Sequence, residues 1–108
     1  LEHINRVLDL SLKFAEKENA NKYIVSLIAL LHDADDYKLF GMENAEKLTN
    51  AKIIMDDCNV DKAIQEQVCD AINNIGYSKR LKGHSPTTLE GKIVSDVDMC
   101  DALEQLVF

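Results

Sequence analysis

The sequence predicts an all-α protein, a bundle of about five helices around one core. Two observations support that fold class: apolar residues recur at helical spacing along nearly the whole chain, and only one Pro, four Gly and few β-branched runs interrupt them. Residues 2–18 form the first expected helix, with Ile4, Val7, Leu8, Leu12 and Ala15 one turn apart. Asn19 to Asn21 make a short break. Residues 21–33 resume as a second helix whose Ile24, Val25, Leu27, Ile28, Leu30 and Leu31 leave almost no polar face, the pattern of a helix buried on most sides. It ends in the polar cluster His32-Asp33-Ala34-Asp35-Asp36.

A third helix is expected over 43–58, with Ala45, Leu48, Ala51, Lys52 and Met55 along one stripe. A fourth follows from about 61 to 75, with Ile64, Val68, Ala71, Ile72 and Ile75 inward and Gly76 placed to close it with positive φ. Residues 76–86 read as the one substantial loop. Thr87 and Glu90 have the spacing of a capping box, which starts the last helix there, with Leu89, Ile93, Val94, Val97 and Leu106 on its core face. No internal repeat or low-complexity segment is evident.

The chain has 108 residues, enough for a single core and one domain over 1–108. It begins at Leu1 and stops at Leu106-Val107-Phe108 inside an apolar helical pattern, so it is expected to be incomplete at both ends. A formal net charge of −7 argues against a nucleic-acid polymer as partner, which would need a broad cationic surface. Charge is unevenly placed: Lys79, Arg80, Lys82 and Lys92 against Glu90 give residues 76–92 a net +3. A basic loop on an acidic domain can receive a small anionic ligand. Cys58, Cys69 and Cys100 are odd in number and form no CxxC, so a reducing cytoplasmic setting is expected, with all three buried as packing residues. The longest apolar stretch, Tyr23 to Leu31, is too short to span a bilayer.

The chemistry concentrates around His32 and Asp33, at the end of the most apolar helix. Two ionisable groups beside such a core are costly to bury unless a cation compensates them. The short break makes the first two helices antiparallel neighbours. From residue 18 back to 3 is about 22 Å and from 21 on to 32 about 16 Å, at about 1.5 Å per residue. His3 and His32 therefore reach the same end of the hairpin. Two imidazoles with carboxylates make a mixed N/O donor set suited to one divalent ion such as Mn, Mg, Fe, Co or Ni. The carboxylate contributed by the last helix lies in Ser95-Asp96-Val97-Asp98.

His3-x-x-Arg6-Val7, then Leu31-His32-Asp33, then Gly91-Lys92-Ile93-Val94-x-Asp96-x-Asp98 resembles the H…HD…D signature of HD-superfamily phosphohydrolases, in order and across nearly the whole chain. The resemblance implies the HD-domain helical bundle, with His3, His32, Asp33 and Asp98 as metal ligands. Asp98 is preferred to Asp96 by its place in the motif. The resemblance further implies that Asp33 helps orient the attacking water, and that the substrate is a small phosphoester, in many members a nucleotide. Two departures stand out: Met99 replaces the Arg or Lys that usually follows the last metal Asp, and this stretch of chain is expected to lack the family's helices beyond that motif.

Arg6, Lys38, Lys79 and Arg80 are the candidate substrate-binding cations, and Asp96 and Asp101 are candidates to orient a ligand histidine. The expected function is a divalent-metal-dependent phosphohydrolase. The alternative is an HD module that holds metal and nucleotide as a signal without turnover, which Met99 keeps open.

Overall fold

The computed structural model describes residues 2–35 and 41–107, with only the backbone of 44–46, 77, 78 and 105–107. Lys38 and Asp36 lie outside the described residues. Among the described residues the regular structure is all helix, with no strand. The elements are α1 (Glu2–Glu18), α2 (Lys22–Leu31), α3 (Met42–Lys47), α4 (Thr49–Asp57), α5 (Lys62–Asn73), α6 (Tyr77–Leu81) and α7 (Leu89–Val107).

The hairpin of α1 and α2 forms where expected, for identifiable reasons. Asn19 takes φ 59°, and the Ala20 N–H donates back to the Ala15 carbonyl at 2.9 Å, closing α1. Asn21 then caps α2, its side-chain oxygen accepting from the Ile24 N–H at 3.1 Å. The apolar α2 packs against α1, α5 and α7, which accounts for Ile24, Val25, Ile28 and Leu31, whereas Leu30 is exposed. Val7, Val25, Ile28, Met55, Val68 and Val94 are fully out of water. Each such burial contributes about 1.5–3 kcal/mol. The helix α7 runs antiparallel to α1: His3 meets its Asp98 and Asp101, while the Asn21 N–H beyond the far end of α1 donates to Glu90 at 2.9 Å.

Several expectations need correction. The helix expected over 43–58 is two, α3 and α4, because Leu48 adopts φ 53° to bury its side chain. It offers no capping side chain, and Asp35 supplies the cap from a distance: its carboxylate accepts from the Asn50 N–H at 2.7 Å and the Ala51 N–H at 2.9 Å. The expected loop over 76–86 contains the short α6. Gly76 does have positive φ, at 125°, but α5 has already ended at Asn73.

The last helix is capped by Thr88, whose hydroxyl accepts from the Gly91 N–H at 3.1 Å, and not by Thr87. Glu90 reaches instead across to Asn21 and to the Gln67 amide. Leu89, expected in the core, is exposed. Cys58 and Cys100 are exposed and Cys69 is half-buried, so they are not the buried packing residues expected.

Candidate metal centre

Three elements place the site. His3 stands in the first turn of α1, His32 is the C-terminal cap of α2, and Asp98 lies in the middle of α7. The hairpin brings the two imidazoles together, their ring centroids 5.8 Å apart. Asp98 enters from the third side, its Oδ1 2.9 Å from His3 Nε2 and 3.3 Å from His32 Nε2. One donor atom from each residue lies within 4.8 Å of the others.

Asp33 stands next to this group, not inside it. Its Oδ2 is 3.4 Å from His32 Nε2, and its side chain is about half exposed. Asp96 points elsewhere, its exposed carboxylate accepting from the Arg80 guanidinium at 2.8 Å. Two residues along a helix turn the side chain by about 200°, which separates Asp96 from Asp98.

The chemistry of His32 tests whether a cation fits. Its Nδ1–H donates to the Ala29 carbonyl at 2.7 Å, which leaves a lone pair on Nε2 in the neutral ring. That Nε2 is buried and has no hydrogen-bond partner. It faces the carboxylate oxygens of Asp98 and Asp33, so acceptors oppose acceptors unless a proton or a metal ion lies between them. Neighbouring donors on one six-coordinate ion, each about 2.1 Å from it, stand about 3 Å apart, comparable to the 2.9 and 3.3 Å observed around Asp98. The residues fit a divalent ion of borderline or hard character.

Burial of His32 opposes the imidazolium, yet the nearby Asp98 carboxylate and the charge of Asp33 outweigh it and raise its pKa above the usual value. Burial pushes the Asp98 carboxyl up, but His32 and His3 more than reverse this and hold it below the usual range.

A second layer stands behind His3. Its Nδ1 hydrogen-bonds the Asp101 carboxylate, which is almost wholly buried. Arg6 grips the same carboxylate with both arms, Nε to Oδ1 at 2.7 Å and Nη2 to Oδ2 at 3.2 Å. The Arg6 hydrogen bond is the chief reason the Asp101 carboxyl is held low, and burial opposes it. Arg6, a candidate for substrate, is thus engaged by the protein's own Asp101. Arg80 is also engaged, by the Ser95 hydroxyl at 3.1 Å and by Asp96. Lys79 is half-buried in α6. Asp35 was legible only as part of a polar cluster; no pattern in the sequence pairs it with residues 50 and 51.

Among the described residues no helix is long and apolar enough to cross a membrane. The family model for the HD domain matches residues 1–103. The chain is similar to the uncharacterized protein YpgQ of Bacillus subtilis (strain 168), at 33% identity over 104 residues, covering 94% of this chain and 49% of that protein. It therefore spans about half the length of the curated relative it matches. No solved structure matches it. With the histidines, the His-Asp pair and the aspartate of the last helix all drawn to one end of the bundle, the chain belongs to the HD domain family.

Proposed function

We propose that this domain is a divalent-metal-dependent phosphohydrolase acting on a small phosphoester. The observation that carries the reading is the buried, unpartnered Nε2 of His32, with His3 Nε2 and Asp98 Oδ1 beside it. His3, His32 and Asp98 would hold the ion, and Asp33 stands where it can join them or meet a water at the rim. When bound, the ion supplies Lewis acidity toward a phosphoryl oxygen. The chain's own residues do the remainder. The Asp33 carboxylate, half exposed, accepts a hydrogen bond from the attacking water and aims it. The cations of α6 and the loop after it offset the charge that a phosphate adds to a site already holding two carboxylates.

One observation favours a second reading, a module that binds metal and nucleotide without turnover. Met99 supplies no cation, and Arg6 and Arg80 both direct their guanidinium groups to aspartates of the last helix, Asp101 and Asp96. A screen of phosphoesters with Mn, Mg, Fe, Co and Ni, run alongside metal analysis of the purified protein, separates the two. Turnover that needs one of these ions supports the hydrolase. Stoichiometric metal with no turnover of any phosphoester supports the binding module.

A further inference from the structure

We propose that Asp101, clamped by Arg6, is the positioning residue that presents His3 Nε2 to the metal. This inference rests on the metal-dependent reading above. A carboxylate with only 1% of its side chain exposed needs partners for its charge. Asp101 finds them on one turn of α1: His3 and Arg6 are three residues apart, so both side chains leave the same face. Its Oδ1 accepts from Arg6 Nε, and its Oδ2 is shared between Arg6 Nη2 and His3 Nδ1.

A carboxylate has no hydrogen to give, so the Nδ1 of His3 must carry one. With Nδ1 held as donor, Nε2 is the nitrogen left to offer its lone pair to an ion; it faces the Asp98 carboxylate at 2.9 Å, two acceptors that need a metal ion or a proton between them. The two histidines are therefore oriented by different means. His32 is fixed by a neutral backbone carbonyl within its own helix, and His3 by a charged side chain from another helix. Arg6 completes the arrangement: its planar fork sets the rotation of the Asp101 carboxylate, and its charge balances the buried anion. On this reading the arginine near the site belongs to ligand orientation, and a phosphoester draws its cations from elsewhere.

The test compares wild type, Asp101→Asn and Arg6→Gln for Zn²⁺ affinity by chelator competition. Imidazole ¹H–¹⁵N correlation spectra of the Zn²⁺-loaded proteins are recorded alongside. Loss of a partner behind a ligand histidine weakens metal binding about 10–100-fold, and Asp101→Asn is expected in that range. Arg6→Gln is expected to show a smaller loss in the same direction. The spectra should show His3 losing its single Nδ1–H pattern in Asp101→Asn while His32 keeps its own. A merely structural tie between α1 and α7 would leave the pattern of His3 intact. Should Asp101→Asn fail to fold, Arg6→Gln carries the test, since that side chain is 39% exposed. Zn²⁺ affinity within twofold of wild type together with an unchanged His3 pattern overturns the positioning role and leaves the metal centre standing. No Zn²⁺ binding by wild type overturns both.

Discussion

His32 concentrates the chemistry of this domain in one side chain. Its Nδ1 is committed to Ala29 and its Nε2 is buried among acceptors, so only a proton or a metal ion satisfies it. His32→Ala is expected to lose bound metal, by more than the 10–100-fold or so that an outer partner costs. The far-ultraviolet helical signal should persist, because the core contribution of α2 comes from Ile24, Val25, Ile28, Ala29 and Leu31. Metal analysis and circular dichroism check both halves, and one equivalent of metal in the variant would sink the assignment. A second residue-scale outcome lies far from the site. Asp56 accepts from the Gln65 amide and from Lys62, both at 2.9 Å, and these partners hold its carboxyl below the ordinary value of 3.8. A carboxyl lowered in the folded state adds stability above its unfolded pKa and loses it as pH falls through the folded one. The difference in urea midpoint between wild type and Asp56→Asn should therefore be largest near neutrality and shrink on the acid side of 3.8. A difference that stays constant with pH would mean the contact adds nothing through charge.

Helix ends and helix contacts show how far periodicity reaches. The spacing of apolar residues located α1, α2, α5 and α7 to within a few residues, because each buries a stripe that repeats with the turn of the helix. It missed the division at Leu48, where one residue leaves the helical region to bury an apolar side chain, and where the cap comes from Asp35. Gly91 is another position decided by contact. In an exposed helix, Gly→Ala would gain about 1 kcal/mol. Here a Cβ at residue 91 would lie 2.7 Å from Pro86 Cβ and 3.1 Å from Ala71 Cβ, and neither is the end of a flexible chain. Overpacking of this kind costs about 1–3 kcal/mol. Gly91→Ala is expected to be net destabilising, on the order of 1 kcal/mol, read as a lower urea midpoint. A variant as stable as wild type would show that α5 and the Pro86 segment move aside easily.

At the scale of the molecule, charge sets the problem for the proposed reaction. The chain carries a net −7, and a phosphoester is itself anionic. The cations of residues 79–92 are the chief counterweight, but Arg80 is bound to Asp96 and Ser95, which ties α6 to α7. An exposed pair of this kind contributes little to stability, about 0–1 kcal/mol. Its charge still acts at a distance at low salt. Lys79→Ala combined with Arg80→Ala is expected to raise KM for a phosphoester several-fold, with metal content unchanged and the effect fading as salt is added. Arg80→Ala alone should do less, since its charge is already offset by Asp96. Equal kinetics in wild type and the double variant would mean the loop is only a solvated surface.

By itself the sequence determined the all-helical class, the hairpin that brings His3 to His32, and the order of the motifs over which the HD domain model matches. These follow from single-residue properties repeated at a fixed period, and from a rise per residue that makes two helix lengths comparable. The tertiary structure decided what each charged side chain meets. Asp96, Asp98 and Asp101 are all acidic residues of one helix, yet one faces Arg80, one the two histidines, and one His3 with Arg6. Arg6 and Arg80, which the sequence offered as candidate substrate-binding cations, are paired with two of them. Long polar side chains have many rotamers, and their partners lie up to about a hundred residues away in the chain. Only the crossing of α1, α2 and α7 selects which pairs come within hydrogen-bond reach. Periodicity, which tells inside from outside, carries no record of that choice.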